Sequence, residues 1–386
     1  MISVDEALKL VLDLAAPLPT ERVPLAQAAG RSMATGAQAR RDQPPFDASA
    51  MDGYAVAVLP QVGDVLRLVG KSQAGRRFAG HLQAGEAIRI STGAPVPESA
   101  SHVIIQEHTV RNGDRITITE ASAKDNIRRR GQDFRAGQAF GPRRLRPADL
   151  GLLAAMDVAE VEVFRRPVVA ILSTGDELAM PGTPMRDDQI PSANAFSLMA
   201  LVEAEGGVGR ILPIARDDRD SLRATFALAE GADLVVTIGG ASVGDHDLVG
   251  AVAAELGLDL SFHKIAMRPG KPLMAGRLRD MPMLGLPGNP VSAYVCAHLF
   301  LLPMLRAMTG QTPEAASRTA VLDGPVPANG PRAHYMRARV RDGVLTPFAE
   351  QDSSLLLRLT EANALLIRPV DDPARDKGAV VDYLPL

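Results

Sequence analysis

Three segments of this chain concentrate residue types that can handle phosphate and other oxyanions. They are Ser173-Thr-Gly-Asp-Glu177, Gly239-Gly-Ala-Ser-Val-Gly-Asp-His-Asp247 and Gly285-Leu-Pro-Gly-Asn-Pro-Val-Ser292, and each follows an apolar run that reads as a buried strand. Glycine lets the backbone approach a ligand, free N–H groups at a helix start attract oxyanions, and Asp or Glu can hold Mg2+ against a phosphate. Any one of them is also an acceptable tight turn, since Gly, Pro and Asp make turns for their own reasons. Three at one sheet edge favour a site.

A fourth segment, Lys264-Ile-Ala-Met-Arg268-Pro-Gly-Lys271, places three cations within eight residues and holds two of only six lysines in the chain. A solvated surface strand is the plainer alternative. Two further dense spots, Asp47-Ala-Ser-Ala-Met-Asp52-Gly-Tyr-Ala55 and Ser91-Thr92-Gly-Ala-Pro-Val-Pro97, lie in a β-rich stretch, and Arg128-Arg-Arg-Gly-Gln-Asp133 reads as a solvated basic run. No P-loop, no Gly-x-Gly-x-x-Gly after a strand and no His-x-x-x-His pair is present, which removes the main support for kinase, dehydrogenase and zinc-hydrolase readings.

The elements that must position these groups follow from periodicity. A capping box, Ser3-Val-Asp-Glu6, opens an amphipathic helix that Pro17 and Pro19 stop. Residues 41–136 read as a β-rich module with strands near 65–69, 87–90, 102–106 and 115–119. A helix is expected over 147–155 and a strand over 161–164, so that 1–40 and 137–164 form one discontinuous domain. Over 165–308, strands at 168–172, 210–214, 234–238 and 283–286 alternate with helices at 196–205, 221–230, 248–255 and 291–308. That alternation predicts a parallel, doubly wound α/β sheet. Residues 309–386 read as a small C-terminal β domain, with strands near 337–340 and 365–369. The expected fold class is thus multidomain α/β with flanking β-rich modules.

Composition bounds the rest. The 386 residues suffice for several cores, and 46% hydrophobic with 23% charged residues is ordinary globular usage. A net charge of −3, with 14 aromatics and no Trp, offers nucleic acid neither a bulk field nor stacking platforms. The single cysteine, Cys296, excludes an internal disulfide and suits a reducing compartment, so the cytoplasm is the expected location. Neither a signal-peptide core nor a long membrane-spanning run is expected.

Six motifs occur in order: SAMDGYA (residues 49–55), TGAPVP (92–97), STGDEL (173–178), SVGDHD (242–247), RPGKP (268–272) and GLPGNPVSA (285–293). With them the chain resembles, over essentially its whole length, the molybdopterin molybdenumtransferases, the MoeA family that includes the gephyrin E domain. The resemblance implies a four-domain subunit whose α/β domain is of the molybdopterin-binding type, in a homodimer with clefts built from both chains. It implies attack of molybdate on adenylylated molybdopterin with release of AMP, assisted by Mg2+. The adenylyltransferase and molybdenum-enzyme recipients are implied partners; nucleic acid and membrane are not.

Carried over by resemblance, Asp52, Thr92, Glu177, Asp217, Asp247, Lys264, Arg268 and Lys271 are the catalytic candidates. Ser173, Thr174, Gly175, Gly239, Gly240, Ser242, Asp245, Pro287, Gly288, Asn289 and Ser292 line the substrate, Lys271, Ser292, Arg332 and Ser353 hold molybdate, and Glu177 with Asp247 holds the metal. Three positions depart from the family pattern: Arg268 replaces a common lysine, Ala48 a common asparagine, and Asp352 a common glycine beside an expected anion site. A molybdopterin adenylyltransferase and a non-catalytic scaffold of the same fold are the competing readings.

Overall fold

The computed structural model describes residues 1–120, 124–240, 248–314 and 316–386. The chain divides into two compact units: residues 1–21, 30–34 and 163–386, and residues 22–29 with 35–162.

The first unit contains a six-stranded sheet in the order Val208–Ile211, Val168–Ser173, Leu234–Ile238, Met281–Leu286, Met274–Leu278, Leu258–His263. The first four strands are parallel, Met274–Leu278 runs antiparallel to them, and Leu258–His263 pairs antiparallel with Met274–Leu278. Side chains alternate between two buried faces, as a strand's period of two requires. Val169, Ile171, Val236 and Leu284 face the helices Val4–Leu14, Asn194–Ala204 and Pro290–Met308, while Ala170, Leu172, Val235 and Met283 meet Leu222, Phe226, Val249 and Val252 on the other side. Burial on both faces explains the continuous apolar runs of the central strands.

The expected all-parallel sheet therefore gains an antiparallel edge. Leu258–His263 carries polar alternation and Met274–Leu278 has no β-branched residue, so neither announces a strand. The strand expected over 210–214 is Val208–Ile211, and Pro213, which has no N–H for a ladder, lies just beyond its end. The helix from Pro290 to Met308 includes a π-helical stretch, Ala297–Leu301. Pro303 accounts for it, because a mid-helix proline removes one hydrogen bond and crowds a carbonyl one turn earlier. By length and composition this 19-residue helix could cross a membrane, contrary to the sequence expectation. Its most apolar stretch is 72% buried, and it serves as the core helix of the sheet.

The C-terminal β domain is a closed barrel of Arg318–Leu322, Ala333–Arg341, Val344–Pro347, Ala364–Arg368 and Val380–Pro385. One short strand from the α/β domain, Met267–Arg268, joins it by pairing in parallel with Ala333 and His334.

The second unit has its own six-stranded sheet, ordered His102–Ile105, Gly53–Val56, Glu86–Ile90, Val65–Ser72, Arg115–Ile118, Thr109–Asn112, with separate buried clusters on its two faces. Gly53 is obligatory there, since a Cβ at that position would lie 1.9 Å from the carbonyl oxygen of Ile104.

Candidate functional site

The register of the parallel strands decides where the loops emerge. Ser173 pairs with Ile238, and Ile238 with Leu286, so the glycine-rich loops leave the carboxyl edge side by side. They are stitched together: the Thr174 N–H donates to the Ile238 carbonyl (3.3 Å), the Gly239 N–H to that of Leu286 (3.1 Å) and the Gly175 N–H to that of Ala215 (3.2 Å). Thr174 Oγ1 donates to Asp217 Oδ1 at 3.0 Å, and the Asp217 N–H to Asp176 Oδ1 at 3.4 Å. Glycine is required at 175, where φ is +146° and a Cβ would come within 2.4 Å of the Glu177 carboxylate folded over it. Gly239 and Gly240 also have positive φ, and Gly288 packs beside Gly239.

In the third loop the Asn194 side chain donates to the Gly288 carbonyl at 2.6 Å. Asn289 precedes the core helix but makes no cap with its side chain. Its Nδ2 donates instead to Ser353 Oγ at 3.2 Å, and the Val291 N–H donates to the Ser353 carbonyl at 3.1 Å. The structure thus brings Ser353, from the barrel, onto the loop of Pro287 to Ser292. Ser173 and Ser292 are buried, with the Ser173 hydroxyl 3.5 Å from that of Ser192. Ser242, Asp245 and Asp247 lie outside the described residues.

The cationic segment is the loop between the two antiparallel edge strands, so the strand it leads into is Met274–Leu278 and not Met281–Leu286. Backbone bonds from Lys264 to Leu273 and from Ile265 to Lys271 close its base. At its tip Arg268 Nη2 donates to Asn329 Oδ1 at 2.9 Å, and the pairing of Met267–Arg268 with Ala333 and His334 brings the neighbouring Arg332 to the same place. Among the described residues Lys264, Arg268, Lys271 and Arg332 form no ion pair with a carboxylate. His334 registers the concentration of charge: burial first, and then Arg268, Arg368, Arg332 and Arg337, pull it down to about 4. The carboxylate of Asp352 accepts from the N–H (2.8 Å) and hydroxyl (2.7 Å) of Ser354, which hold it below the usual range.

Asp52 and Thr92 belong to the second unit and meet each other there. The Thr92 N–H donates to Asp52 Oδ1 at 2.7 Å, and both residues are exposed. The neighbouring basic run is not simply solvated as expected: Arg129 pairs with Asp47 at 2.9 Å and also with Asp125, and Arg130 pairs with Asp42. Asp47 and Asp42, 82 and 88 residues from their partners in sequence, give no local signal of this.

Among the described residues no three His, Cys, Asp or Glu side chains converge on a metal position. Glu177 and Asp217 nonetheless supply hard oxygen donors on adjoining loops. Mg2+ commonly takes one or two carboxylates together with substrate phosphate oxygens, and this donor set fits that habit. Sequence reasoning missed Asn194, Asn329 and Arg337. An asparagine in a loop and an arginine in a strand both read as surface.

An α/β sheet with glycine-rich loops at its carboxyl edge, and cations that have no carboxylate partner among the described residues, has the make-up of an enzyme domain that handles oxyanions. Comparisons with known proteins narrow this. Residues 2–156 match the MoeA N-terminal region (domain I and II), 170–307 a probable molybdopterin binding domain, and 319–386 the MoeA C-terminal region (domain IV). A molybdopterin molybdenumtransferase of Haemophilus influenzae is 39% identical over 81% of this chain and 78% of its own. One from Nostoc sp. is 33% identical over 100% of this chain and 94% of its own. The crystal structure of a molybdopterin biosynthesis MoeA protein from Pyrococcus horikoshii OT3 superposes with a TM-score of 0.83 at 28% identity, covering 100% of both chains. The chain belongs to the molybdopterin molybdenumtransferase family. It is a transferase of molybdenum cofactor biosynthesis, acting by molybdate insertion.

Proposed function

We propose that the enzyme takes adenylylated molybdopterin, directs molybdate to its dithiolene and releases AMP. The observation that carries this reading is the set of cations, Lys264, Arg268, Lys271 and Arg332, that have no carboxylate partner among the described residues, on the domain whose sheet carries the glycine-rich loops at its carboxyl edge. Molybdate is a tetrahedral dianion that needs positioned N–H, hydroxyl and cationic donors, and the leaving adenylate carries charge of its own. Lys271, Ser292, Arg332 and Ser353 hold molybdate. Arg332 is suited to this because a guanidinium presents parallel N–H donors to two oxygens. The loops of residues 173–177, 239–247 and 285–292 hold the nucleotide end.

Glu177, with Asp247 by resemblance and Asp217 beside it, would hold Mg2+, which supplies charge neutralisation at the leaving phosphate. Asp217 is oriented for its role by Thr174, and Glu177 by its fold-back over Gly175. The functional unit is read as a homodimer in which Asp52 and Thr92 face the partner subunit's cleft. Four domains, a cytoplasmic location, and contacts with the adenylyltransferase and with molybdenum-enzyme recipients complete the reading.

Incubation of the purified protein with adenylylated molybdopterin, Mg2+ and molybdate tests it. AMP appears with molybdate and not without it. Formation of the adenylate from ATP and free molybdopterin would replace this reading with an adenylyltransferase.

A further inference from the structure

The loop that carries Ser353 is held from beneath by a buried cation. Arg337, in the barrel strand Ala333–Arg341, is only 1% exposed. Its Nη1 donates to the Leu355 carbonyl at 3.0 Å, and its Nη2 donates to those of Glu350 and Asp352 at 3.2 and 2.8 Å. The intervening Gln351 grips the same residue by its backbone. The Arg337 N–H donates to Gln351 Oε1 at 2.9 Å, and Gln351 Nε2 donates to the carbonyls of Arg337 (2.9 Å) and Phe348 (2.8 Å). Ser353 is therefore fixed on both sides along the chain before it meets Asn289 and Val291.

This arrangement is costly if its only purpose is packing. Among the described residues Arg337 forms no direct ion pair and feels only the nearby charge of Asp352, its buried Nε has no hydrogen-bond partner, and burial pulls its guanidinium down from the ordinary arginine value. Replacing buried charge by well-packed apolar groups is often neutral or stabilising. What an apolar residue cannot do is gather three carbonyls from one loop while setting a positive charge under it.

We infer that Arg337 is a positioning residue for molybdate: its guanidinium gathers the Glu350, Asp352 and Leu355 carbonyls so that the Ser353 hydroxyl is held at the Asn289 loop. The inference rests on the assignment of Ser353 to molybdate in the proposed function. Lysine keeps the charge but lacks the planar fork, so it restores the geometry only in part.

The test compares Arg337→Met, Arg337→Lys and Ser353→Ala, measuring half-saturating molybdate, affinity for the adenylylated pterin, and Tm. Arg337→Met is expected to raise half-saturating molybdate on the order of tenfold, with pterin affinity changing less than about twofold, and Arg337→Lys to fall between it and wild type. Ser353→Ala moves the same parameter. If Ser353→Ala raises the molybdate requirement and folded Arg337→Met does not, the inference is overturned and the proposed function stands. If Ser353→Ala leaves it unchanged, the molybdate assignment of Ser353 fails, and positioning through Ser353 fails with it. Should Arg337→Met not fold, Gln351→Leu loosens the same loop with the cation in place. An unchanged molybdate requirement there is equally fatal.

Discussion

The two edges of the α/β sheet differ in a way that pocket size alone would misread. A cavity of about 700 Å3 in the first unit opens at the amino edge, lined by Leu14, Phe226, Asp233, Arg277 and Met281 among others. Most of its charged side chains are already engaged. Arg277 donates to the Leu14 carbonyl (3.0 Å), Arg279 to that of Leu256 (3.1 Å), Arg223 pairs with Glu255, and Asp233 takes both Arg165 and the Val168 N–H. At the carboxyl edge, by contrast, Lys264, Arg268, Lys271 and Arg332 have no carboxylate partner among the described residues, and glycines adopt positive φ. Uncompensated charge and backbone freedom mark the chemistry better than empty volume does.

The strongest way to break this comparison is to remove one arginine or lysine from each edge. Lys271→Ala is expected to lower turnover about a hundredfold or more, the order seen when a transition-state donor is lost, with Tm near wild type. Arg277→Ala should leave the rate within about twofold and cost stability on the order of 1 kcal/mol, since it forfeits hydrogen bonds to carbonyls. Comparable rate losses for both would erase the distinction.

A smaller effect is expected from the carboxylates. Glu177→Gln keeps the shape of the side chain but withdraws its charge, and the Mg2+ concentration for half-maximal rate should rise about tenfold. A Mg2+ requirement that does not move would assign Glu177 to the support of the Gly175 turn alone.

The smallest effect is a titration. His334 titrates at about 4 in the folded chain against an ordinary value of 6.5, so the unfolded chain takes up its proton first. Stability is unaffected above about 6.5, falls as pH drops from there to about 4, and levels off below. His298, buried in the core helix and also at about 4, adds a parallel slope. His334→Gln should flatten part of the Tm–pH curve in that window. An unaltered curve would show that the arginines around His334 are better screened than their placement implies.

The legible part of the molecule is the part where local pattern and burial agree. The central strands lie between two helical layers, so they read as apolar runs, and the loops after them carry the glycines and carboxylates of the candidate site. Leu234–Ile238 and Leu248–Glu255 fall where periodicity puts them. Contacts between distant segments have no such signature. Nothing in residues 258–278 shows that their loop will pair with Ala333, and nothing at Arg337 shows that a charge will be buried.

One short strand has a mechanical consequence. Met267 and Arg268 are at once the rim of the barrel and the tip of the cationic loop, so the seam between sheet and barrel runs through the proposed anion site. A dianion bound there bridges that seam and acts as a clasp: by mass action it raises the work of prying the two layers apart. The backbone amide of Ala333, which donates to the Ala266 carbonyl across the seam, is the one whose hydrogen exchange should slow as molybdate is titrated in.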